Sequence, residues 1–373
     1  MNMDNKHSEV RFAGRLGVQQ RVLPVYRVPF FELLADSCDG MSLIAGEPRR
    51  EEGVTLADGM RNAQFIQAKN VHILRDEYYL CYQRGLIRWL KECNPEALIM
   101  EANPRYLATS AAVKWMHARG RKVIGWGLGA PPLKGMAGGF RTMRRIQFIQ
   151  QFDGLLAYSQ RGANEYAALG YPTERIFVAH NSAAAAPGVQ PERRTDANQP
   201  CIIFVGRLQA RKRVDWLLRA CAEMDVKPRL IIVGDGPERE RVETLAKTIY
   251  PSAEFIGTKH GRELDPFFAQ ADLFVLPGTG GLAVQEAMSH GLPVIVAKGD
   301  GTQDDLVRPI NGWQIPPEDY DALVRTMREA LGDRARLHRM GDESFRIVSR
   351  EINIGRMVGT FIRALNTIIK DEG

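Results

Sequence analysis

Short apolar runs alternate with longer amphipathic stretches along almost the whole chain. Such runs fall at 18–23, 41–45, 97–100, 122–126, 154–158 and 176–179, then at 201–205, 229–233, 253–256, 273–276, 294–297 and 312–315. Each predicts a strand. Helical periodicity occupies 30–36, 79–92, 106–119 and 162–169 in the first half. In the second half it occupies 214–224, 238–248, 263–270, 283–289 and 319–331, and the tail 334–370 reads as helix with a break near Ile354 and Gly355. Strand and helix in alternation predict parallel-sheet α/β domains.

One stretch breaks this pattern. AAAAPGVQPERRTDANQP, residues 183–200, is polar, rich in Pro and Ala, and without apolar periodicity. At 373 residues the chain is too long for one ordinary core. The expected division is an N-terminal domain over 10–185, a C-terminal domain over 198–345, and a terminal helix over 346–373 that can return to the first domain. A hydrophobic fraction of 45% and a charged fraction of 25% are those of a soluble globular protein. No apolar run is long enough to span a bilayer, and the polar N-terminus does not read as a signal peptide. Five scattered cysteines without a C-x-x-C pair favour reduced thiols, so a cytoplasmic location is expected. The net charge of +6 is uneven: residues 101–150 carry 9 basic residues against one acidic. That segment is either a solvated basic face or a surface for an anionic partner.

The chemistry gathers in the second half. In LFVLPGTGGLAVQEAMSHGLPVIVA, residues 273–297, a strand runs into a glycine turn (Gly278, Gly280, Gly281) and then a helix carrying Glu286. Unpaired N–H groups and the helix dipole at such a junction suit an anion, and Glu286 can accept hydrogen bonds from sugar hydroxyls beside it. Upstream, VGRLQARKR places Gly206, Arg207 and Lys212 after strand 201–205. Two cations there can neutralise a diphosphate, or they are solvated surface cations, as Arg211 and Arg213 are expected to be. Gly234-Asp235-Gly236-Pro237 permits a tight turn with close approach of a ligand, or is only a well-formed strand-to-helix turn. The G-x-G-x-x-G dinucleotide fingerprint is not met. Gly257 to His260 follow another strand: a base can stack there while Lys259 or His260 touches ligand oxygens, or His260 is simply an exposed loop histidine.

Taken in order, G-R-L-x-x-x-K, G-x-G-P, F-x-G, A-D-L-F-V-L-P and a glycine turn followed by E-A-M-S-H-G-L-P-V-I resemble the retaining family 4 glycosyltransferases (glycosyl transferases group 1). The resemblance runs from about Val205 to Pro316 and extends back through Ser159, Gly170 and Asn181. It implies the GT-B fold, two Rossmann-like domains facing across a cleft. By that resemblance Arg207 and Lys212 bind the donor diphosphate. Glu286 is the second glutamate of the E-x7-E signature and holds the donor ribose. Backbone groups of Gly281, Leu282 and Ala283 cradle phosphate. Gly206, Gly236, Gly257, Lys259, Gly278 and Gly280 complete the donor set. One position departs: the first signature glutamate, which contacts the donor sugar in the family, is Gly278 here.

Acceptors are bound by the first half in this family. Tyr26 and Arg27 follow the first strand, and either bind acceptor or cap the helix after them. Glu101, Asn103 and Arg105 follow another strand at the same sheet edge. The glycine-rich 125–140 reads as a mobile loop, and Leu128 stands near the place where many relatives carry a histidine. No catalytic base is assigned, because in a retaining transfer the leaving phosphate can take the acceptor proton. FRTMRRIQFIQQF, 140–152, is a basic amphipathic helix that either buries its apolar side or lies at an anionic membrane surface. Asp319-Tyr320-Asp321 follows Pro317 rather than an apolar strand and is expected to open a helix. Neither metal nor cofactor is expected. The reading is a retaining glycosyltransferase using a UDP-sugar first and a GDP-sugar second, with a glycan, lipid-linked or small-molecule acceptor. It would act in polysaccharide or cell-surface glycan synthesis, in the cytoplasm or peripherally at the inner face of the membrane. Its rivals are a sugar-nucleotide epimerase of the same fold and a catalytically silent sugar-nucleotide-binding protein. A nucleic-acid partner is disfavoured, because the basic segment lacks interleaved aromatics.

Overall fold

The computed structural model describes residues 11–74, 78–132, 138–190 and 199–370. The chain divides into two compact units, one of residues 1–183 with 354–373 and one of residues 184–353. Residues 346–353, expected with the terminal helix, stay with the second unit.

The first unit begins β1 (Phe12–Val22), α1 (Val28–Asp36), β2 (Cys38–Gly46), β3 (Gln64–Gln67). A hairpin of β4 (Lys69–Ile73) and β5 (Leu80–Arg84) follows, then α2 (Leu86–Cys93), β6 (Ala97–Glu101), α3 (Thr109–His117) and β7 (Lys122–Gly127). It continues with α4 (Gly138–Ile149), β8 (Gly154–Ala157), α5 (Gln160–Ala168) and β9 (Ile176–Val178). Seven strands make a parallel sheet in the order β3-β2-β1-β6-β7-β8-β9. Alternate residues of its strands go to opposite faces, as the two-residue pleat requires. Ile99, Ile124 and Leu156 join one core with Phe30 and Phe31 of α1, whereas Leu98, Met100, Val123 and Leu155 join another with α2, α3 and α5.

The second unit runs β10 (Cys201–Val205), α6 (Val214–Glu223), β11 (Arg229–Val233), α7 (Arg239–Ile249), β12 (Glu254–Gly257), α8 (Asp265–Phe268), β13 (Leu273–Leu276). It continues with α9 (Ala283–Ser289), β14 (Val294–Ala297), β15 (Gly312–Ile315), α10 (Tyr320–Leu331) and α11 (Arg334–Arg350). Its parallel sheet has the order β12-β11-β10-β13-β14-β15. Strands β10, β13 and β14 are buried at every position, which is why they read as continuous apolar runs. Asp319 accepts the Ala322 N–H at 2.8 Å and opens α10, as its sequence context predicts.

After the break at Glu351–Asn353 the last helix, α12 (Ile354–Lys370), packs in the first unit. Its Phe361 meets Phe30 and Trp126 with ring centroids 5.0 Å apart in both pairs, edge-on. Edge-to-face contact is a favoured aromatic geometry and adds to the area these rings bury.

Three segments depart from the expectations. The predicted helix 79–92 is half strand: Cys81 and Gln83 are buried while Tyr82 and Arg84 face out, a two-residue alternation, and helix starts only after Gly85 at φ +83°. Strands β3 and β4 hide in the polar sequences QFIQ and KNVHI. Helix 263–270 shrinks to a 3-10 turn, Gly261–Leu264, and the one turn of α8. Of the glycine-rich 125–140, residues 125–127 end β7 and 138–140 open α4, while 133–137 lie outside the described residues.

Candidate active site

In each sheet the chain reverses its direction of travel once, between β10 and β13 in the second unit and between β1 and β6 in the first. The loops leaving the carboxyl ends of those strands diverge, and the crevice they leave is where open parallel sheets bind ligands.

Around the β10/β13 switch point the loops are stitched together by backbone hydrogen bonds. Gly206 N–H donates to Val233 O at 3.0 Å, Leu208 N–H to Asp235 O at 2.8 Å, Gly234 N–H to Gly257 O at 2.8 Å, and Thr279 N–H to Arg211 O at 3.1 Å. Gly236 is needed for the stitching. A Cβ there would lie 2.3 Å from Leu208 O, so the close approach this glycine permits is to a neighbouring loop. Gly206 and Gly257, distant from it in sequence, complete the same seam at the ends of β10 and β12.

Lys212 is buried at 6% exposure, and its Nζ donates to Thr279 O at 2.8 Å and Gly280 O at 2.5 Å. Burial, with Arg211 adding charge repulsion, lowers its ammonium to about 8. Arg207 is exposed on the loop after β10. Arg211 is exposed, as expected of a solvated cation, and it also reaches the glycine turn: its Nη1 donates to Thr279 O at 3.2 Å and its Nε to Gln209 Oε1 at 3.1 Å. Arg213 pairs bidentately with Glu318. Sequence reading missed Arg211 because nothing local distinguishes it from its cationic neighbours.

Gly278 is buried and has no room for a side chain. A Cβ would lie 1.9 Å from Arg211 O and 2.6 Å from Lys212 Cα. The departure from the signature is therefore a packing feature as well as a missing carboxylate.

In α9, Val284, Gln285 and Glu286 close the first turn onto Gly281 and Leu282, so among the described residues the N–H groups of Gly281, Leu282 and Ala283 are the unpaired donors of a helix start. Glu286 is half-buried on this turn. Burial raises its carboxyl, His290 opposes that, Asp265 adds to it and His260 opposes it. His290 is fixed by Glu286 O at 2.9 Å, Asp265 Oδ1 at 3.1 Å and stacking on Phe268. The neighbouring Gln285 is 1% exposed; its Nε2 donates to Ile352 O at 2.7 Å and its Oε1 accepts from Ala184 N–H at 3.4 Å. Lys259 faces Glu263 at 3.9 Å, and His260 is exposed. Among the described residues no group of three or more His, Cys, Asp or Glu is gathered for a metal ion.

At the β1/β6 switch point of the first unit, Glu101 Oε2 accepts the Arg21 backbone N–H at 3.1 Å, bridging the two strand ends. Burial pushes its carboxyl up to about 7 against the pull of Arg21, Tyr106 and Arg27. Gln19, Gln83 and Asn70 continue a buried amide network beside it, with links of 3.0 and 3.1 Å. Trp126, in register with Glu101, is 1% exposed, and its indole N–H has no partner among the described residues. Tyr26 is exposed at the same edge. Asn103 spends its carbonyl on the Arg105 N–H at 3.0 Å, and Arg105 is exposed. Arg27 stands at the N-cap of α1 without a side-chain capping bond. It is 7% exposed, its guanidinium donates to Asn181 Oδ1 and to Ser182 O, and Tyr26, Trp126 and Tyr158 surround it within 6 Å. A buried guanidinium must be paired, and the carbonyls at 181–182 do this.

Residues 189–346 match the family Glycosyl transferases group 1. A sulfoquinovosyl transferase of Arabidopsis thaliana is 35% identical over 145 residues, 37% of this chain and 28% of that protein. A GDP-mannose-dependent alpha-mannosyltransferase of Mycobacterium tuberculosis is 32% identical over 190 residues, 49% of this chain and 47% of that protein. The chain thus spans less than half the length of these relatives. Among solved structures, sucrose-phosphate synthase of Thermosynechococcus elongatus superposes with a TM-score of 0.68 at 16% identity, covering 96% of this chain and all of that one. Anabaena HepE in complex with UDP gives 0.70 at 14%, covering 95% and 99%. At such identities the likeness concerns the fold, which is GT-B with two Rossmann-like α/β domains. Through residues 189–346 the chain is similar to the glycosyl transferases group 1 family.

Proposed function

We propose that the protein is a retaining glycosyltransferase, moving a sugar from a nucleotide-diphosphate sugar to a glycan, lipid-linked or small-molecule acceptor in polysaccharide or cell-surface glycan synthesis. The observation that carries this reading is the glycine turn held by Lys212 one helical turn before Glu286, with Arg207 on the adjoining loop. The diphosphate would sit on the N–H groups of Gly281 to Ala283, balanced by Arg207 and Lys212, with the ribose hydroxyls on Glu286. The Anabaena structure contains UDP, and relatives are named for GDP-mannose, so UDP-sugar leads and GDP-sugar follows.

In the transfer, the bond between the sugar C1 and the β-phosphate oxygen breaks with its electron pair going to that oxygen. The acceptor oxygen bonds to C1 on the same face and its proton passes to the leaving phosphate. Arg207 and Lys212 stabilise the charge that builds on the phosphate. Acceptor contacts are assigned to the first unit, to Tyr26, Glu101, Asn103 and Arg105. The side chain of Arg27 is left out because it is committed within its own unit. Phe140 and Met143 of α4 are exposed beside Arg141 and Arg144, which supports a peripheral contact with an anionic membrane surface. No helix of the described residues is long and apolar enough to cross a membrane.

The test is incubation with UDP- and GDP-sugars and an acceptor panel, following nucleoside diphosphate release and the anomeric coupling of the product. Release with retained configuration supports the assignment. An inverted product, or an epimerised sugar formed without acceptor, contradicts it.

A further inference from the structure

We propose that the donor's sugar is acidic: a nucleotide-activated hexuronate whose carboxylate pairs with Arg211. This rests on the donor site proposed above and names its substrate class.

A nucleotide sugar is linear, with ribose at one end of the diphosphate and the transferred sugar at the other. With the ribose on Glu286 and the phosphates on Gly281 to Ala283, the sugar falls toward Gly278–Gly280. What faces it there is cationic. The guanidinium of Arg211 overlies the turn, its Nη1 only 3.2 Å from where a Cβ of Gly280 would be, and the ammonium of Lys212 lies 3.8 Å from that same point. Among the described residues neither cation has a carboxylate partner within 4 Å. Both are held by backbone carbonyls instead.

Two of the guanidinium's five donors are taken, by Gln209 and Thr279, which leaves the Nη2 pair and the second Nη1 hydrogen for a ligand. Nor can a carboxylate be placed at the nearest point of the turn, because Arg211 O fills the space in which a side chain on Gly278 would begin. A diphosphate carries two charges, which Arg207 and Lys212 match. Arg211 is a third cation in excess. A neutral sugar would leave the guanidinium of Arg211 facing its hydroxyls, whereas a carboxylate supplies the opposite charge and accepts the fork of Arg211.

The experiment is calorimetric titration of UDP, UDP-glucose and UDP-glucuronate, and of GDP, GDP-mannose and GDP-mannuronate, into the full chain and its Arg211→Gln and Arg211→Lys variants. Circular dichroism and melting curves establish that each variant is folded. With the base that binds, the acidic sugar should bind at least tenfold tighter than its neutral counterpart, and the ratio should shrink with added salt. Arg211→Gln should bring the ratio to within about twofold, and Arg211→Lys should keep part of it, as a point charge without the fork. Acidic and neutral sugars binding within threefold of each other, or a preference that survives Arg211→Gln, overturns the proposal. If the bare diphosphates bind in that case, the donor site stands and only the acidic-sugar assignment falls. If neither UDP nor GDP binds at all, both fall.

Discussion

Replacing Gly278 by alanine should destabilise the second unit far more than one methyl group ordinarily does. The new Cβ would start 1.9 Å from Arg211 O, 2.6 Å from Lys212 Cα and 2.7 Å from Lys212 C. All three are backbone atoms and cannot rotate away. The two loops must part by on the order of 1 Å, which strains a packed region by about 1–3 kcal/mol. Parting them also weakens the Thr279 N–H to Arg211 O bond of 3.1 Å and the two bonds from Lys212 Nζ. The bonds are weakened rather than lost, so they add about 1 kcal/mol to the strain and the total is roughly 3 kcal/mol. For a unit of this size that corresponds to about 6–12 °C in melting temperature. Gly280→Ala is the control. That residue has φ +71°, but its Cβ would meet only the ends of the Arg211 and Lys212 side chains, so the cost is about 1 kcal/mol of backbone strain. Thermal unfolding followed by circular dichroism should rank wild type, Gly280→Ala and Gly278→Ala in falling order. Gly278→Glu, which restores the family's signature, should lower donor affinity and stability together. A Gly278→Ala protein melting within 1 °C of wild type, or a Gly278→Glu protein that binds donor better, refutes the argument from packing.

Lys212 is charged below its lowered value of about 8, so affinity for UDP or GDP should fall as pH rises through 8. Lys212→Arg, which stays protonated, should flatten that fall; parallel titration curves would count against a role for this ammonium. Glu101 has the opposite sense: its carboxyl, raised to about 7, binds a proton more tightly folded than unfolded. Its contribution to stability is full below the unfolded value near 4.3 and is lost as pH rises through 7, on the order of 1–3 kcal/mol. Urea melts of Glu101→Gln should therefore gain on wild type between pH 5 and pH 8, and curves that run parallel contradict the burial argument. Gln285→Leu leaves the Ala184 N–H and Ile352 carbonyl without their partner and should cost about 1–3 kcal/mol, while Gln285→Glu loses the donor to Ile352 and buries a carboxylate, and should cost at least as much at pH 7. Equal melting temperatures for wild type and Gln285→Leu would remove that brace from the account.

The second sheet is legible in the sequence because its strands are buried on both faces and so are written as unbroken apolar runs. The break in the tail is legible for a related reason, since the helical pattern lapses between Arg350 and Ile354. Segment 79–92 misleads because Trp89 and Leu90, which do belong to a helix, follow a strand whose outward positions are Tyr82 and Arg84. Gly278 is visible in the sequence as a departure from a pattern; that its space is filled by the backbone of Arg211 depends on a contact 67 residues away in the chain, and no local signal carries it. The same holds for Arg27, whose partner Asn181 is 154 residues distant, and for Arg211, whose neighbours Lys212 and Arg213 look identical in sequence yet turn to different partners. Residue type and spacing reveal where cations stand. Which of them face a ligand is decided by tertiary contacts.

The most direct measurement of the central claim is titration calorimetry of UDP and GDP with the wild-type chain and with Glu286→Ala. The account predicts saturable, one-to-one binding of at least one of the two to wild type. It further predicts at least a tenfold loss in Glu286→Ala at an unchanged melting temperature. Absence of binding by either nucleotide at millimolar concentration, or undiminished affinity in the variant, would contradict it.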